Sequence, residues 1–310
     1  MNRRERMLAA INRQPVDRIP TDIWATPEVW SRLKAHFGGD EATVTEALHI
    51  DGMAYVGAEY IGPPLPAVPE GETVNFWGLR THPVQHAGGV YQEIYHHPLA
   101  DARAVADLDA YAWPQADWFD YSRMQARAAE LRRTHVVRCG YMAPFFYHNL
   151  LRGLEQSLLD PLENPALTHE ILHRISDFFY EHHRRMFAAC AGLIDVSEVT
   201  DDLGCQTGPL IGLDTYREFY APHHRRFINL CREFGIKVFH HDDGSNRLFL
   251  PDLVAMGIDI LNPVQWTCPG MDLRELKREF GQQLCFHGAV ENQRILPFGT
   301  PEEVRAEVRH

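Results

Sequence analysis

A polar cluster directly follows a short apolar stretch in the segment Ile236–Gly244, IKVFHHDDG. Its β-branched and aromatic residues predict a buried strand that ends at the polar cluster. Because side chains alternate along a strand, His241 and Asp243 share one face. His240 and Asp242 share the other. An imidazole and a carboxylate on one face could hold a metal ion, although the same residues taken alone also fit a solvated turn.

A second polar cluster ends the preceding predicted strand, in the segment EVTDDLGCQTGP. There Glu198 and Asp202 share one face, and Asp201 lies on the other. Consecutive βα units place their strand ends side by side, so Asp202, His241 and Asp243 could converge. Three oxygen or nitrogen ligands with one open position describe a catalytic zinc site. We predict that these three residues are catalytic and bind zinc, because charges gathered at adjacent strand ends are costly without a counter-ion.

Further polar residues follow the next two predicted strands. Asn262 and Gln265 follow the sixth strand, and His287 and Glu291 follow the seventh. Asn262, Gln265 and Glu291 are the predicted substrate-binding residues. His287 also fits a core histidine with a satisfied hydrogen bond, and the role of Glu198 stays open at this point.

The elements that carry these residues alternate between strand and helix patterns, which predicts a parallel sheet. No glycine-rich phosphate loop follows the first predicted strand, so a (β/α)8 barrel is favoured over an open doubly wound sheet. We expect one barrel domain, residues 1–310, with a β-hairpin inserted near residues 72–98. The predicted strands are Ile19–Ala25, Gly52–Tyr60, His135–Gly140, Leu193–Thr200, Ile236–His241, Ile258–Pro263 and Gln283–Gly288.

Composition narrows the class of protein. The chain has 310 residues, 45% hydrophobic content and a formal net charge of −12. An acidic chain without a Lys/Arg run predicts a small-molecule substrate and argues against nucleic-acid binding. No segment reaches the roughly 18 apolar residues of a membrane span, and the N-terminus lacks a signal-peptide pattern. The six cysteines form no CxxC pair, so we expect a cytoplasmic protein without disulfides.

Several segments together resemble the uroporphyrinogen decarboxylase superfamily, which also contains corrinoid-linked methyltransferases. The resemblance covers RERMLAAINRQPVDRIP, DDLGCQTGPLIGLDTYREFYAPHHRR, and the stretch from VFHHDDGS to FHGAVENQRILPFGTPEEVRAEV. It implies a distorted (β/α)8 barrel with its cleft at the carboxyl ends of the strands, in agreement with the reading of the residues.

The resemblance is closer to the methyltransferase-like branch. True uroporphyrinogen decarboxylases carry an arginine-rich segment after the first strand that clamps the carboxylates of a tetrapyrrole. Here that place reads TDIWATPEVW, with no arginine between Arg18 and Arg32. The methyltransferases hold zinc through an HxC motif and a later cysteine, whereas this chain has His241 and places Asp243 at the cysteine position.

An Asp/His ligand set leaves zinc more Lewis-acidic towards oxygen than a cysteine-rich set. We therefore expect removal of the methyl group of a methoxylated or otherwise methylated small molecule, with a corrinoid on a separate protein as acceptor. The alternative is a decarboxylase that acts on a carboxylated small molecule or tetrapyrrole, in which Asp202 or Asp243 transfers protons without a metal. A third reading is a corrinoid- or tetrapyrrole-binding protein with His240 or His241 as axial ligand.

Members of the superfamily continue beyond PEEVRAEVRH into an eighth strand and a closing helix. We therefore expect either a barrel that is open on one side or a fragment of a longer sequence. An open edge exposes unpaired backbone groups and apolar surface, which favours a homodimer or aggregation unless something covers it.

Overall fold

A computed structural model describes residues 1–309. They form two compact units: residues 1–10, 14–140 and 146–195 make the first, and residues 11–13, 141–145 and 196 onward make the second. The strands are β1 (Met53–Tyr55), β2 (Glu59–Tyr60), β3 (Thr73–Val74), β4 (Arg80–His86), β5 (Gly89–His96), β6 (Phe119–Asp120), β7 (Val136–Met142), β8 (Val196–Val199), β9 (Gly204–Cys205), β10 (Gly208–Pro209), β11 (Lys237–His241), β12 (Ile260–Asn262) and β13 (Cys285–Phe286).

Helices connect most of the parallel strands. Two short 3-10 helices and one π-helical turn, Tyr216–Tyr220, supplement them. The α-helices are α1 (Arg3–Ile11), α2 (Pro27–Phe37), α3 (Glu41–Ala47), α4 (Met124–Leu131), α5 (Pro144–Arg152), α6 (Leu154–Glu163), α7 (Pro165–Ala189), α8 (Leu213–Thr215), α9 (Ala221–Glu233), α10 (Leu250–Met256), α11 (Leu273–Phe280), α12 (Ile295–Phe298) and α13 (Pro301–Arg309).

In the first unit, β1 pairs in parallel with β7, and β3, β4 and β5 form an antiparallel sheet. The latter sheet confirms the hairpin predicted near residues 72–98. Trp77 anchors an aromatic core, with its ring centroid 4.9 Å from that of Tyr147 and 5.5 Å from that of Phe179. His183 of α7 is buried and bonds through Nδ1 to the carbonyl of Phe179 at 2.6 Å; burial lowers its pKa to about 4.

In the second unit, β8, β11, β12 and β13 run parallel and pair in that order. The end of β7 lies beside the end of β8, because the Thr200 amide donates to the carbonyl of Met142 at 2.8 Å. Helices return the chain between the later strands; Gly257, in the left-handed region at φ 102°, ends α10, and Asp272 caps α11. Parallel pairing therefore gathers the carboxyl ends of successive strands at one edge of this sheet.

One predicted strand is wrong. The segment Ile19–Ala25 has no strand structure, and Ile19 is 82% exposed. Pro20 lacks the amide that a ladder needs. The neighbouring backbone groups are bonded elsewhere, since the Thr21 amide donates to the Asp51 carboxylate and the Thr21 carbonyl accepts from the amides of Asp51 and Gly52.

Five predicted strands are confirmed as β7, β8, β11, β12 and β13, and with them the α/β, TIM-barrel-like fold class. The sixth, Gly52–Tyr60, is confirmed only in its first half: β1 joins the parallel sheet, whereas β2 pairs antiparallel with β6. Among residues 1–309, β1 pairs with β7 alone and β13 with β12 alone, so hydrogen bonds do not close a barrel. The prediction of one domain over residues 1–310 stays a prediction. No helix within the described residues is both long and apolar enough to cross a membrane.

Candidate metal centre

Three predicted ligands lie together at the carboxyl ends of β8 and β11. Asp202 follows β8, His241 ends β11, and Asp243 comes two residues later. One ligand atom from each lies within 4.8 Å of the others. Nε2 of His241 is 3.6 Å from Oδ1 of Asp202 and 3.8 Å from Oδ2 of Asp243. The structure thus brings the three side chains into one cluster, and within residues 1–309 no other group of three such ligands is as close.

The alternation of faces predicted for HHDDG is confirmed. His241 and Asp243 are partly exposed, with side-chain exposures of 22% and 46%, whereas His240 and Asp242 are fully buried. The exposed fraction of Asp202 is 40%. The cluster is therefore open to an incoming ligand on one side and supported by buried polar groups on the other.

Buried Asp242 ties together the two loops that carry the cluster. Its Oδ1 accepts the amide of Leu203 at 2.9 Å and the amide of Gly204 at 3.2 Å, directly after Asp202. Among residues 1–309, its Oδ2 has no hydrogen-bond partner and lies 3.7 Å from Nε2 of His240. These bonds hold the loop of Asp202 near His241, and Oδ1 of Asp202 itself accepts the amide of Asp243 at 3.4 Å.

Burial and neighbouring carboxylates shift several pKa values around the cluster. Burial raises the pKa of Asp243; the imidazole of His241 opposes this rise and the carboxylate of Asp202 adds to it. Burial, with Asp202 as the next cause, raises the pKa of Asp242 well above its ordinary value. Burial lowers the pKa of His240 to about 3. The buried carboxyl groups at this edge of the sheet therefore resist ionisation, and a bound cation would favour their charged forms.

The cluster fits the ligand requirements of zinc. With bonds of about 2.0–2.2 Å and tetrahedral angles, zinc places neighbouring nitrogen and oxygen ligands roughly 3.3–3.6 Å apart. The distances of 3.6 and 3.8 Å from Nε2 of His241 are close to that range. Three protein ligands and an open side are also the arrangement of catalytic, as opposed to structural, zinc sites.

A second layer of polar groups supports His241. Asn262 lies opposite it in the β11–β12 register and is buried. Nδ1 of His241 and Oδ1 of Asn262 are 2.7 Å apart, and Nδ2 of Asn262 is 2.7 Å from Nδ1 of His287. Both ends of the Asn262 side-chain amide are therefore engaged by histidines. Contact between Asn262 and substrate stays a prediction.

The two other predicted substrate-binding residues also bond to the backbone. Oε1 of Gln265 accepts the amide of Gly244 at 2.6 Å, which holds the loop after Asp243. The Glu291 carboxylate accepts the amides of the next turn; these bonds lower its pKa, although burial by itself would raise it. A cavity of about 20 Å³ lies between Gln265 and Glu291 and has room for about one water molecule. Their contact with substrate stays a prediction.

Some buried polar groups near the cluster were not predicted from the sequence. Nε2 of His224, on α9, lies 2.9 Å from Oδ2 of Asp201, and that oxygen also accepts the amide of Phe145 at 3.0 Å. Helix α9 reads as an ordinary amphipathic helix, so only the buried position of Asp201 could have indicated a partner. Glu198, whose role was left open, is buried within β8.

Comparison with known proteins identifies the family of this chain. Residues 102–310 match the sequence profile described as "Uroporphyrinogen decarboxylase (URO-D)". The chain belongs to the uroporphyrinogen decarboxylase family. The methylated-thiol--coenzyme M methyltransferase of Methanosarcina mazei is 26% identical over 166 residues, which cover 52% of this chain and 41% of that protein. The chain thus matches less than half the length of this relative.

A solved structure, a methyltransferase from Methanosarcina mazei, shares the fold. The TM-score is 0.65 at 16% identity, over 100% of this chain and 89% of that chain. The profile match confirms the predicted resemblance to the uroporphyrinogen decarboxylase family. The methyltransferase name of the 26% identical relative agrees with the predicted branch. In this family member a carboxylate, Asp243, takes the place where the resemblance to the methyltransferases implies a cysteine.

Proposed function

We propose that this chain is a zinc-dependent methyltransferase that demethylates a methoxylated or otherwise methylated small molecule, with a corrinoid on a partner protein as methyl acceptor. The observation that carries the proposal is the cluster of Asp202, His241 and Asp243 at the edge of a parallel sheet. Membership of the uroporphyrinogen decarboxylase family and the methyltransferase named among its relatives support the reaction class.

Asp202, His241 and Asp243 would hold the metal. When bound there, zinc supplies Lewis acidity towards a substrate oxygen. The two carboxylates balance the charge of a divalent cation, and His241 contributes a neutral donor. An all-oxygen-and-nitrogen set is harder than a thiolate set, which favours an oxygen-bound methyl donor over a thioether.

Residues around the cluster set the side from which the methyl donor approaches and hold the site loops in place. The exposed side of the cluster is where the donor must approach, because His240 and Asp242 close the other side. Asp242 fixes the loop after Asp202, and Gln265 fixes the backbone after Asp243, in both cases by accepting a backbone amide. Preorganised ligands of this kind lower the cost of positioning a substrate atom.

Metal analysis of the purified protein tests the site. We expect about one zinc per wild-type chain, and loss of zinc in His241→Ala and in Asp243→Ala. His36→Ala, a change of an exposed histidine on α2, is the matched control and should keep the metal. Unchanged zinc content in His241→Ala would exclude this residue as an essential ligand.

A donor panel tests the reaction. Methoxylated, methylthiolated and methylated-amine compounds are offered with free cob(I)alamin as acceptor, and methyl transfer is followed by the absorbance change of the acceptor. We expect zinc-dependent transfer from methoxylated donors in preference to the others. Release of carbon dioxide from a carboxylated substrate by zinc-free protein, without methyl transfer, would instead identify a decarboxylase.

A further inference from the structure

We propose that Asn262 is a positioning residue that fixes the tautomer of His241, with His287 fixing the orientation of Asn262 in turn. The inference rests on the proposed metal site, but its first test needs no metal. Asn262 and His287 form a hydrogen-bonded relay, which keeps Nε2 of His241 unprotonated and directed at Asp202 and Asp243.

The orientation of the Asn262 amide follows from its surroundings. Nδ2 lies 2.7 Å from Nδ1 of His287 and 3.4 Å from the carbonyl oxygen of the same residue. A carbonyl oxygen only accepts hydrogen bonds, so the end of the amide that faces it must be the NH2 group. Nδ1 of His287 then accepts from Asn262, and Oδ1 of Asn262 faces His241.

The tautomer of His241 follows in the next step. Oδ1 of Asn262 is an acceptor, so Nδ1 of His241, 2.7 Å away, must carry a proton and donate it. In the neutral imidazole the other nitrogen, Nε2, is then unprotonated and carries the lone pair. Nε2 is the atom that lies 3.6 Å from Oδ1 of Asp202 and 3.8 Å from Oδ2 of Asp243.

The relay is rigid because strand pairing holds its middle member. Asn262 is 4% exposed and lies opposite His241 in the register of β11 and β12. Its backbone carbonyl accepts the amide of Asp242 at 2.8 Å. The His287 amide donates to the carbonyl of Leu261, and its ring packs against Phe239 with centroids 5.3 Å apart. Groups that orient a ligating histidine in this way typically contribute 10- to 100-fold to metal affinity.

The tautomer is measured first, in metal-free protein labelled with 15N-histidine and held at about pH 8. We expect Nδ1 of His241 to give a protonated and Nε2 an unprotonated nitrogen shift, with the spin system assigned from His241→Gln. We expect Asn262→Ala to give a mixture of tautomers. A wild-type His241 protonated on Nε2, or an unchanged tautomer in Asn262→Ala, would overturn the inference whether or not the protein binds zinc.

Metal affinity is measured second, by chelator competition with zinc. Asn262→Ala should weaken binding about 10- to 100-fold. Asn262→Asp keeps an acceptor for Nδ1 of His241 and should restore affinity to within a few-fold of wild type. Equal weakening by both changes, in proteins with unchanged thermal melting, would contradict a positioning role. The expected tautomer together with no zinc binding in wild type would refute the proposed function and leave the relay standing.

Discussion

Replacing Asp242 with alanine tests whether this buried carboxylate, as opposed to its exposed neighbour, holds the two site loops together. The change leaves the amides of Leu203 and Gly204 buried without an acceptor. Each orphaned buried amide costs roughly 1–3 kcal/mol, so the two cost roughly 2–6 kcal/mol. Removal of the unpartnered Oδ2, itself costly to bury, offsets part of this. We expect a net loss of about 2–4 kcal/mol in the free energy of unfolding.

Two further variants sharpen this test. Asp242→Asn keeps an acceptor oxygen for both amides and should cost less than about 1 kcal/mol. Asp243→Ala, one residue along, removes a side chain that is 46% exposed and should change stability by no more than about 0.5 kcal/mol in the absence of metal. The contrast between adjacent aspartates isolates the hydrogen bonds of Asp242 from the general effect of removing a carboxyl group.

Urea unfolding followed by circular dichroism gives the free energies, from the midpoint and the slope. Hydrogen exchange gives the local effect, and the amides of Leu203 and Gly204 should lose protection in Asp242→Ala but not in Asp242→Asn. A loss below about 1 kcal/mol in Asp242→Ala would refute the reasoning. Equal destabilisation by both Asp242 variants would show that an acceptor oxygen alone does not hold the loops.

Three other predictions concern pH, the cluster and the turn that leads into α12. Because the folded pKa of His183 is about 4, the unfolded chain binds more protons below about pH 6.5, so the free energy of unfolding falls as the pH drops. From pH 7 to pH 5 this side chain accounts for roughly 2 kcal/mol of the fall. Urea titrations of His183→Gln should show a decrease smaller by that amount, and an equal decrease would count against the assignment. Asp243→Cys should give a thiolate-to-metal charge-transfer absorption with Co²⁺ that Asp214→Cys, at an exposed position, does not; its absence would place the metal elsewhere. Glu291→Ala removes the acceptor for the amides of Arg294 and Ile295 and should lower the free energy of unfolding in urea by about 0.5–2 kcal/mol. Glu302→Ala, in the first turn of α13, is the control and should change it by no more than about 0.5 kcal/mol.

Local patterns in the sequence predicted most of the elements that matter. Period-two alternation placed His241 and Asp243 on one face of β11, and the order of βα units placed Asp202 beside them. Both inferences depend only on the geometry of a strand and on the adjacency of successive parallel strands. The prediction of a strand at Ile19–Ala25 is wrong. The apolar residues of this segment follow a strand-like pattern, but Pro20 has no amide, and the bonds to Asp51 and Gly52 use backbone groups that strand pairing would need.

By itself, the sequence determined the fold class, the face of each strand that bears polar groups, and the three residues that meet. Only the tertiary structure decided what those groups bond to. The β11–β12 register sets Asn262 opposite His241, and the loop geometry directs Gln265 and Glu291 onto backbone amides. Register and loop geometry depend on the packing of residues far apart in the chain. A side-chain period reveals a face, but not the neighbour opposite it.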